Sequence, residues 1–333
     1  MKKLFFAVAA FGAFVACSDE EVKDPIGAQM QEVNIKATLP AEATAYMTRS
    51  AASRNSSLGG LTQVTDKDIR FILEVFEATS INGTDTTYTS VNQFYQTKDA
   101  GSSTANFSLR LIPANYKFVL WTDFVANGEN KSQTAGTASN LDLYYNTASL
   151  KTISLKGAWT GNEEARDAYT GTALVDLKSS SVVTNMTLRR PFGKIRVVTN
   201  DFVNDNAYQP TSVTVTYSGD FGTEFDAMTG TTTSSKNGSF SYTATNFQNK
   251  ENNSDASVKV LTWDYLFPTG QGYNLTLATT DGDKNTTRQI TQIPVQTNRL
   301  TTLSGNVMTY GSTLNVTIDD MFETPGSDVN LPE

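Results

Sequence analysis

Three observations predict an all-β protein made of two successive β-sandwiches. Apolar and polar residues alternate in short runs that recur roughly every ten residues. Asn, Asp and Gly turn signals separate many of these runs. The composition agrees: of 333 residues 38% are hydrophobic and only 18% charged, and β-branched Thr, which suits pleated surfaces, is abundant.

The first alternating run is Glu32 to Leu39, with Val33, Ile35, Ala37 and Leu39 on one face and Asn34, Lys36 and Thr38 on the other. This is the pattern of a half-buried strand. From Pro40 to Asp68 the periodicity stops. The stretch Met47 to Gly60, rich in small residues and carrying Arg49 and Arg54, is far longer than an ordinary connection. Strands are then expected over Ile69 to Ala78, Thr86 to Tyr95, Ala105 to Ile112, Tyr116 to Phe124 and Thr172 to Leu177, with a tight turn at Ile81-Asn82-Gly83-Thr84. Gly161 to Tyr169, with Asn162 as its cap, is the one segment expected to be helical.

A second series begins with Thr187 to Thr199 and continues through Ser212 to Tyr217, Phe240 to Asn246, Val258 to Phe267, Tyr273 to Thr279, Thr301 to Thr309 and Thr313 to Ile318. The expected divisions are a leader at 1–16, a tether at 17–31, a first sandwich at 32–184, a second at 185–322 and a tail at 323–333. No Pro- or Gly-rich linker marks the join near Val182 to Thr187.

The leader is read from Lys2 and Lys3 followed by an apolar run from Leu4 to Ala16, too short to span a bilayer as a helix and ending at Cys17, the single cysteine. With Cys17 taken as a lipidation site, no thiol remains for disulfides or catalysis. The chain also has no histidine, so imidazole bases, Ser-His-Asp and Cys-His triads and His/Cys zinc sites are excluded. Loss of Lys2 and Lys3 with the leader leaves 24 basic against 34 acidic residues, a balance that repels nucleic acid. No catalytic group, metal site or cofactor is expected. Asp281-Gly-Asp-Lys-Asn285 has spaced oxygen ligands but lacks a calcium loop's closing Glu, and is read as a hairpin turn. Asp201 with Asp205, and Asp319-Asp320, are read as solvated turn carboxylates. Trp121, Trp263 and Tyr265 are read as core; Tyr144, Tyr145 and Trp159, in less regular segments, suit either the end of a sandwich or stacking on sugar rings. Asp85-Thr86-Thr87 resembles a short O-glycosylation motif of Bacteroidota.

Two further resemblances carry functional expectations. Val15-Ala16-Cys17 resembles the bacterial lipobox, with Phe14 where Leu is usual, and Ser18-Asp19-Glu20-Glu21 is similar to the acidic tag of surface-exported Bacteroidota lipoproteins. Asn115 to Phe124, Arg166 to Gly171, Leu188 to Val197 and Ile293 to Gly305 together resemble the fimbrillin-related surface lipoproteins of Bacteroidales. That resemblance implies transthyretin-like sandwiches, a lipid anchor in the outer membrane at the cell surface, and other fimbrial subunits as partners. It also implies a stalk, anchor or tip role in a type V pilus. In stalk subunits of that family an Arg-specific protease cuts after the first strand and a neighbour's C-terminal segment replaces it. Here the corresponding parts are the strand bearing Val33, Ile35, Ala37 and Leu39 and the loop bearing Arg49 and Arg54. The tail is a poor donor, since Glu323 to Glu333 offers only Val329 and Leu331 as large apolar residues. The alternative expectation is a surface glycan-binding lipoprotein, and a host or glycan ligand is a further expected partner.

Overall fold

The computed structural model describes residues 30–40, 43, 64, 66–82, 85–99, 101–129, 131–137, 139–178, 182–202, 210–250, 253–281, 284–309, 314–319 and 328–329. These residues are almost wholly β. The first half contributes β1 (Gln31–Thr38), β2 (Lys67–Asn82), β3 (Asp85–Asp99), β4 (Thr104–Leu111), β5 (Asn115–Ala126), β6 (Thr134–Ala135), β7 (Tyr145–Asn146), β8 (Ile153–Leu155), β9 (Tyr169–Asp176) and β10 (Val182–Thr187). The second half contributes β11 (Gly193–Thr199), β12 (Ser212–Asp226), β13 (Thr231–Ala244), β14 (Gln248–Asn249), β15 (Lys259–Leu266), β16 (Tyr273–Asp281), β17 (Lys284–Ile293), β18 (Leu300–Gly305), β19 (Leu314–Asp319) and β20 (Asp328–Val329).

In the first sandwich a three-stranded sheet, ordered β10-β1-β4, faces a five-stranded sheet ordered β6-β3-β2-β5-β9. Their common core holds Val33, Ile35 and Ala37 of β1, Phe107 and Leu109 of β4 and Met186 of β10 against Phe71, Leu73 and Val75 of β2 and Phe118 and Leu120 of β5. The second sandwich pairs a sheet ordered β14-β15-β11-β18-β19-β20 with one ordered β17-β16-β12-β8-β7, onto which β13 is added through β12. Ile195, Val197 and Leu303 from one layer meet Val213, Val215, Tyr217 and Leu277 from the other.

A third core lies between these two. The opposite face of β2 and β5, with Ile72, Phe76, Val119 and Trp121, packs against Tyr145, Leu150 and Ile153, and these against Phe192, Phe225, Tyr265 and Phe267. The five-stranded sheet is therefore covered on both faces, which explains why β5 is buried almost continuously rather than alternately.

Paired strands flank both expected turns, with Asn82 opposite Asp85 and Asp281 opposite Lys284. Other expectations need correction. Gly161 to Tyr169 holds only a 3-10 turn, Glu164–Arg166, capped by Glu163 through its carboxylate. Asn162 does not cap it: its φ is 56° and its side-chain oxygen accepts from Thr262 Oγ1 and Trp263 N, both at 2.9 Å. Thr187 to Thr199 is not one strand. β10 ends at Thr187, and the chain crosses between sheets through buried Leu188, Arg190 and Phe192 before β11 begins. β10 itself is one strand on the first sandwich, running across residue 184, while β7 and β8 join a sheet of the second.

Candidate functional site

The element whose placement is most unusual is β1. It is the middle strand of its sheet, antiparallel to β4 with Ile35 opposite Phe107, and parallel to β10 with Ile35 opposite Thr184. Its sequence explains the seat: Val33, Ile35, Ala37 and Leu39 are at most 2% exposed. Asn34 on the outer face accepts from Ser108 Oγ at 2.7 Å. The strand's last turn is held by Leu39 N donating to Ser103 O and Leu188 N donating to Thr38 O, each at 2.9 Å. Because both long edges are used, removing β1 leaves two unpaired strand edges flanking an apolar floor, an arrangement that another strand can satisfy. Cys17, Arg49 and Arg54 lie outside the described residues, as do Asp205, Asp320 and Leu331.

Buried ion pairs fix the scaffold around the junction. Arg70 donates through Nε and Nη2 to Asp123 at 2.9 and 2.7 Å, and its Nη1 lies 2.9 Å from Asp142. Arg190 forms a bidentate pair with Asp167 and also donates to the Tyr169 hydroxyl at 2.8 Å. Lys194 donates to Glu164 at 2.9 Å. Burial pushes the Glu164 carboxyl up and pulls the Lys194 ammonium down to about 8, although each partner's charge opposes the shift. The last two pairs link the segment 164–167 to the crossover and the start of β11, and in each of the three replacing one partner leaves the other charge buried alone.

Among the described residues no group of three or more His, Cys, Asp or Glu is placed to hold a metal. Asp201 is not a solvated turn carboxylate. It is 8% exposed and accepts from Met308 N and from Thr309 N and Oγ1 at 3.1, 2.8 and 2.7 Å, tying the end of β11 to the segment after β18. Asp264 is a second buried carboxylate, accepting from the Tyr242 hydroxyl and from Trp159 Nε1 at 3.4 Å. Burial pushes it up to about 7 against these bonds. Trp121, Trp263 and Tyr265 are core residues, as is Tyr145, whereas Tyr144 and Trp159 are half-buried. Sequence reading had no means of finding the Asp264 environment, because its partners Tyr242 and Trp159 lie 22 and 105 residues away and the pattern of one strand does not reveal its neighbours.

No helix among the described residues is long and apolar enough to cross a membrane. The layers and their cores define a two-sandwich, all-β protein with an interior first strand. Over residues 26–332 the chain matches the model of a family described as "Family of unknown function (DUF6562)", and it belongs to that family. No curated protein matches. Among solved structures the chain is similar to a candidate cell adhesion protein from Bacteroides ovatus, at 14% identity and a TM-score of 0.44, over 91% of this chain and 99% of that one. It is also similar to a fimbrial assembly protein from Parabacteroides distasonis, at 11% identity and a TM-score of 0.43, over 91% and 100%. A third similar structure is of candidate polysaccharide binding proteins from Bacteroides thetaiotaomicron, at 9% identity and a TM-score of 0.45, over 91% and 99%.

Proposed function

We propose that this chain is a non-enzymatic, lipid-anchored protein of the outer-membrane surface that acts in fimbrial assembly and adhesion, with β1 as an exchangeable strand. The observation that carries the reading is the seat of β1 between β4 and β10, on the N-terminal side of the segment bearing Arg49 and Arg54. Cleavage after either arginine leaves β1 attached only by non-covalent contacts: burial of Val33, Ile35 and Leu39, and ladder bonds contributing about 0.5–1.5 kcal/mol each. A strand of similar alternation from another subunit then takes the vacated place. The chain's own tail suits an acceptor, anchor or accessory subunit better than a donor, since Asp328–Val329 pairs with β19 of the same chain.

Limited trypsin digestion tests the reading. The intact protein stays monomeric; protein nicked after Arg49 or Arg54 loses β1 and assembles; the Arg49→Ala, Arg54→Ala double variant resists nicking at these positions and stays monomeric. Nicked protein that keeps β1 and remains monomeric at high concentration would falsify strand exchange and leave the uncut anchor role. The anchor is tested separately. Cys17→Ser moves the protein out of the membrane fraction, and unchanged detergent-dependent retention of that variant contradicts lipidation at Cys17.

A further inference from the structure

One cavity outside the β1 seat combines aromatic walls with a buried cation that has no carboxylate partner among the described residues. It has a volume of about 170 Å³ and lies where the segment after β8 meets the second sandwich, with Trp159, Phe221, Phe240, Tyr273 and Arg166 in its lining. The rings hold one another in place. Trp159 and Phe240 have centroids 4.7 Å apart, Phe221 and Phe240 5.2 Å, and Phe221 and Tyr273 5.3 Å. Exposed Gly157 and half-buried Leu155 also line the cavity.

Arg166 is 4% exposed, and its guanidinium carbon lies 4.7 Å from the Trp159 ring centre and 5.1 Å from that of Tyr144. Its Nη2 donates to Ala158 O at 2.9 Å, while Nε has no partner. Arg70, Arg190 and Lys194 each have a carboxylate within 2.9 Å, but no ion pair to Arg166 is present among the described residues. The neighbouring Glu163 turns its carboxylate to Ala165 N at 3.2 Å. A buried guanidinium without an anion is costly, and ring faces alone offset only part of that cost.

We infer that this cavity binds the terminal carboxylated sugar of a glycan, with the carboxylate on Arg166 and the apolar face of the sugar ring on Trp159 and Phe240. The chemistry selects the class. Aromatic walls match the C–H face of a pyranose, which an acidic peptide side chain lacks. The single cation matches one carboxylate, while the chain's net charge of −8 disfavours a densely charged polymer. The volume is below the several hundred Å³ of sites that enclose drug-sized ligands, so one ring enters and the rest of the glycan stays outside. This inference stands independently of whether β1 is exchanged.

Titration of the purified protein with glucuronate and galacturonate, beside glucose and galactose as neutral probes, tests it by saturation-transfer NMR and tryptophan fluorescence. At least one uronate binds saturably, about tenfold or more tighter than its neutral counterpart, the difference expected for one charge-assisted contact. Arg166→Gln removes that preference, Arg166→Lys keeps part of it, and Trp159→Ala weakens both classes of sugar. If Arg166→Gln fails to fold, the half-buried Trp159→Ala variant and loss of uronate binding at raised salt decide the matter. Equal binding of neutral sugars, no binding of either uronate, uronate binding untouched in Trp159→Ala, or stronger binding of a Glu-containing tetrapeptide overturns the assignment.

Discussion

Asp264 shows how one buried side chain sets a pH response. Its carboxyl is pushed by burial from the ordinary 3.8 up to about 7, so over the interval between those values the folded protein holds a proton that the unfolded chain releases. The stability this gives is complete below the unfolded value and is lost as pH rises through about 7. Asp264→Asn retains an oxygen for the Tyr242 hydroxyl and removes the titration. Urea midpoints measured from about pH 5 to about pH 8 fall for the parent and flatten for the variant; parallel profiles contradict this assignment. Nothing in the run Leu261-Thr262-Trp263-Asp264-Tyr265 distinguishes this carboxylate from a solvated one. Its character comes from burial, and burial here, like the opposing bonds from Tyr242 and Trp159, is something the fold alone brings about. Asn162 gave a partial signal, as Asn tolerates positive φ, yet its role as a strut to β15 needed the partner strand.

Strands with one apolar face were legible, and β1 is the clearest case: its alternation named the four residues that are buried. Ile35 is 1% exposed, so Ile35→Ala lowers unfolding free energy by about 2–5 kcal/mol, measured by chemical denaturation. A change below about 1 kcal/mol means that β1 contributes little to the uncut protein. Elements without a buried face were not legible. Thr231 to Ser239 of β13 is mostly exposed and reads as a polar loop, and only its pairing along β12 makes it a strand. Conversely, the run Thr187 to Thr199 looked continuous because the crossover carrying Arg190 and Phe192 is as buried as the strands beside it. Its buried cation is satisfied by Asp167, a residue from an earlier turn.

Across the whole molecule, the two sandwiches are not joined as beads on a string. Phe192 packs against Trp121 and Tyr145 from the first half and against Tyr265 and Phe267 from the second, at centroid distances of 6.4, 5.7, 5.8 and 5.0 Å. A shared core of this kind couples the halves into one cooperative unit. Phe192→Ala therefore costs about 3–5 kcal/mol and separates transitions that coincide in the parent when followed by fluorescence and by far-UV circular dichroism. Coincident transitions and a small loss in the variant show that this core does not couple them. The join was illegible in sequence for the same reason, since it is packed protein and not an exposed linker.

The pairing of β1 with β10 also fixes when its sheet can be completed. Val33 meets Val182, so about 150 further residues follow β1 before its second edge has a partner. Closing so long a loop is entropically costly, whereas β4, the other neighbour of β1, follows after a shorter loop, with Leu109 opposite Val33. The sheet is thus complete only once β10 closes on the second edge of β1. Until then one edge of β1 stands unpaired in the intact chain, before any protease has acted.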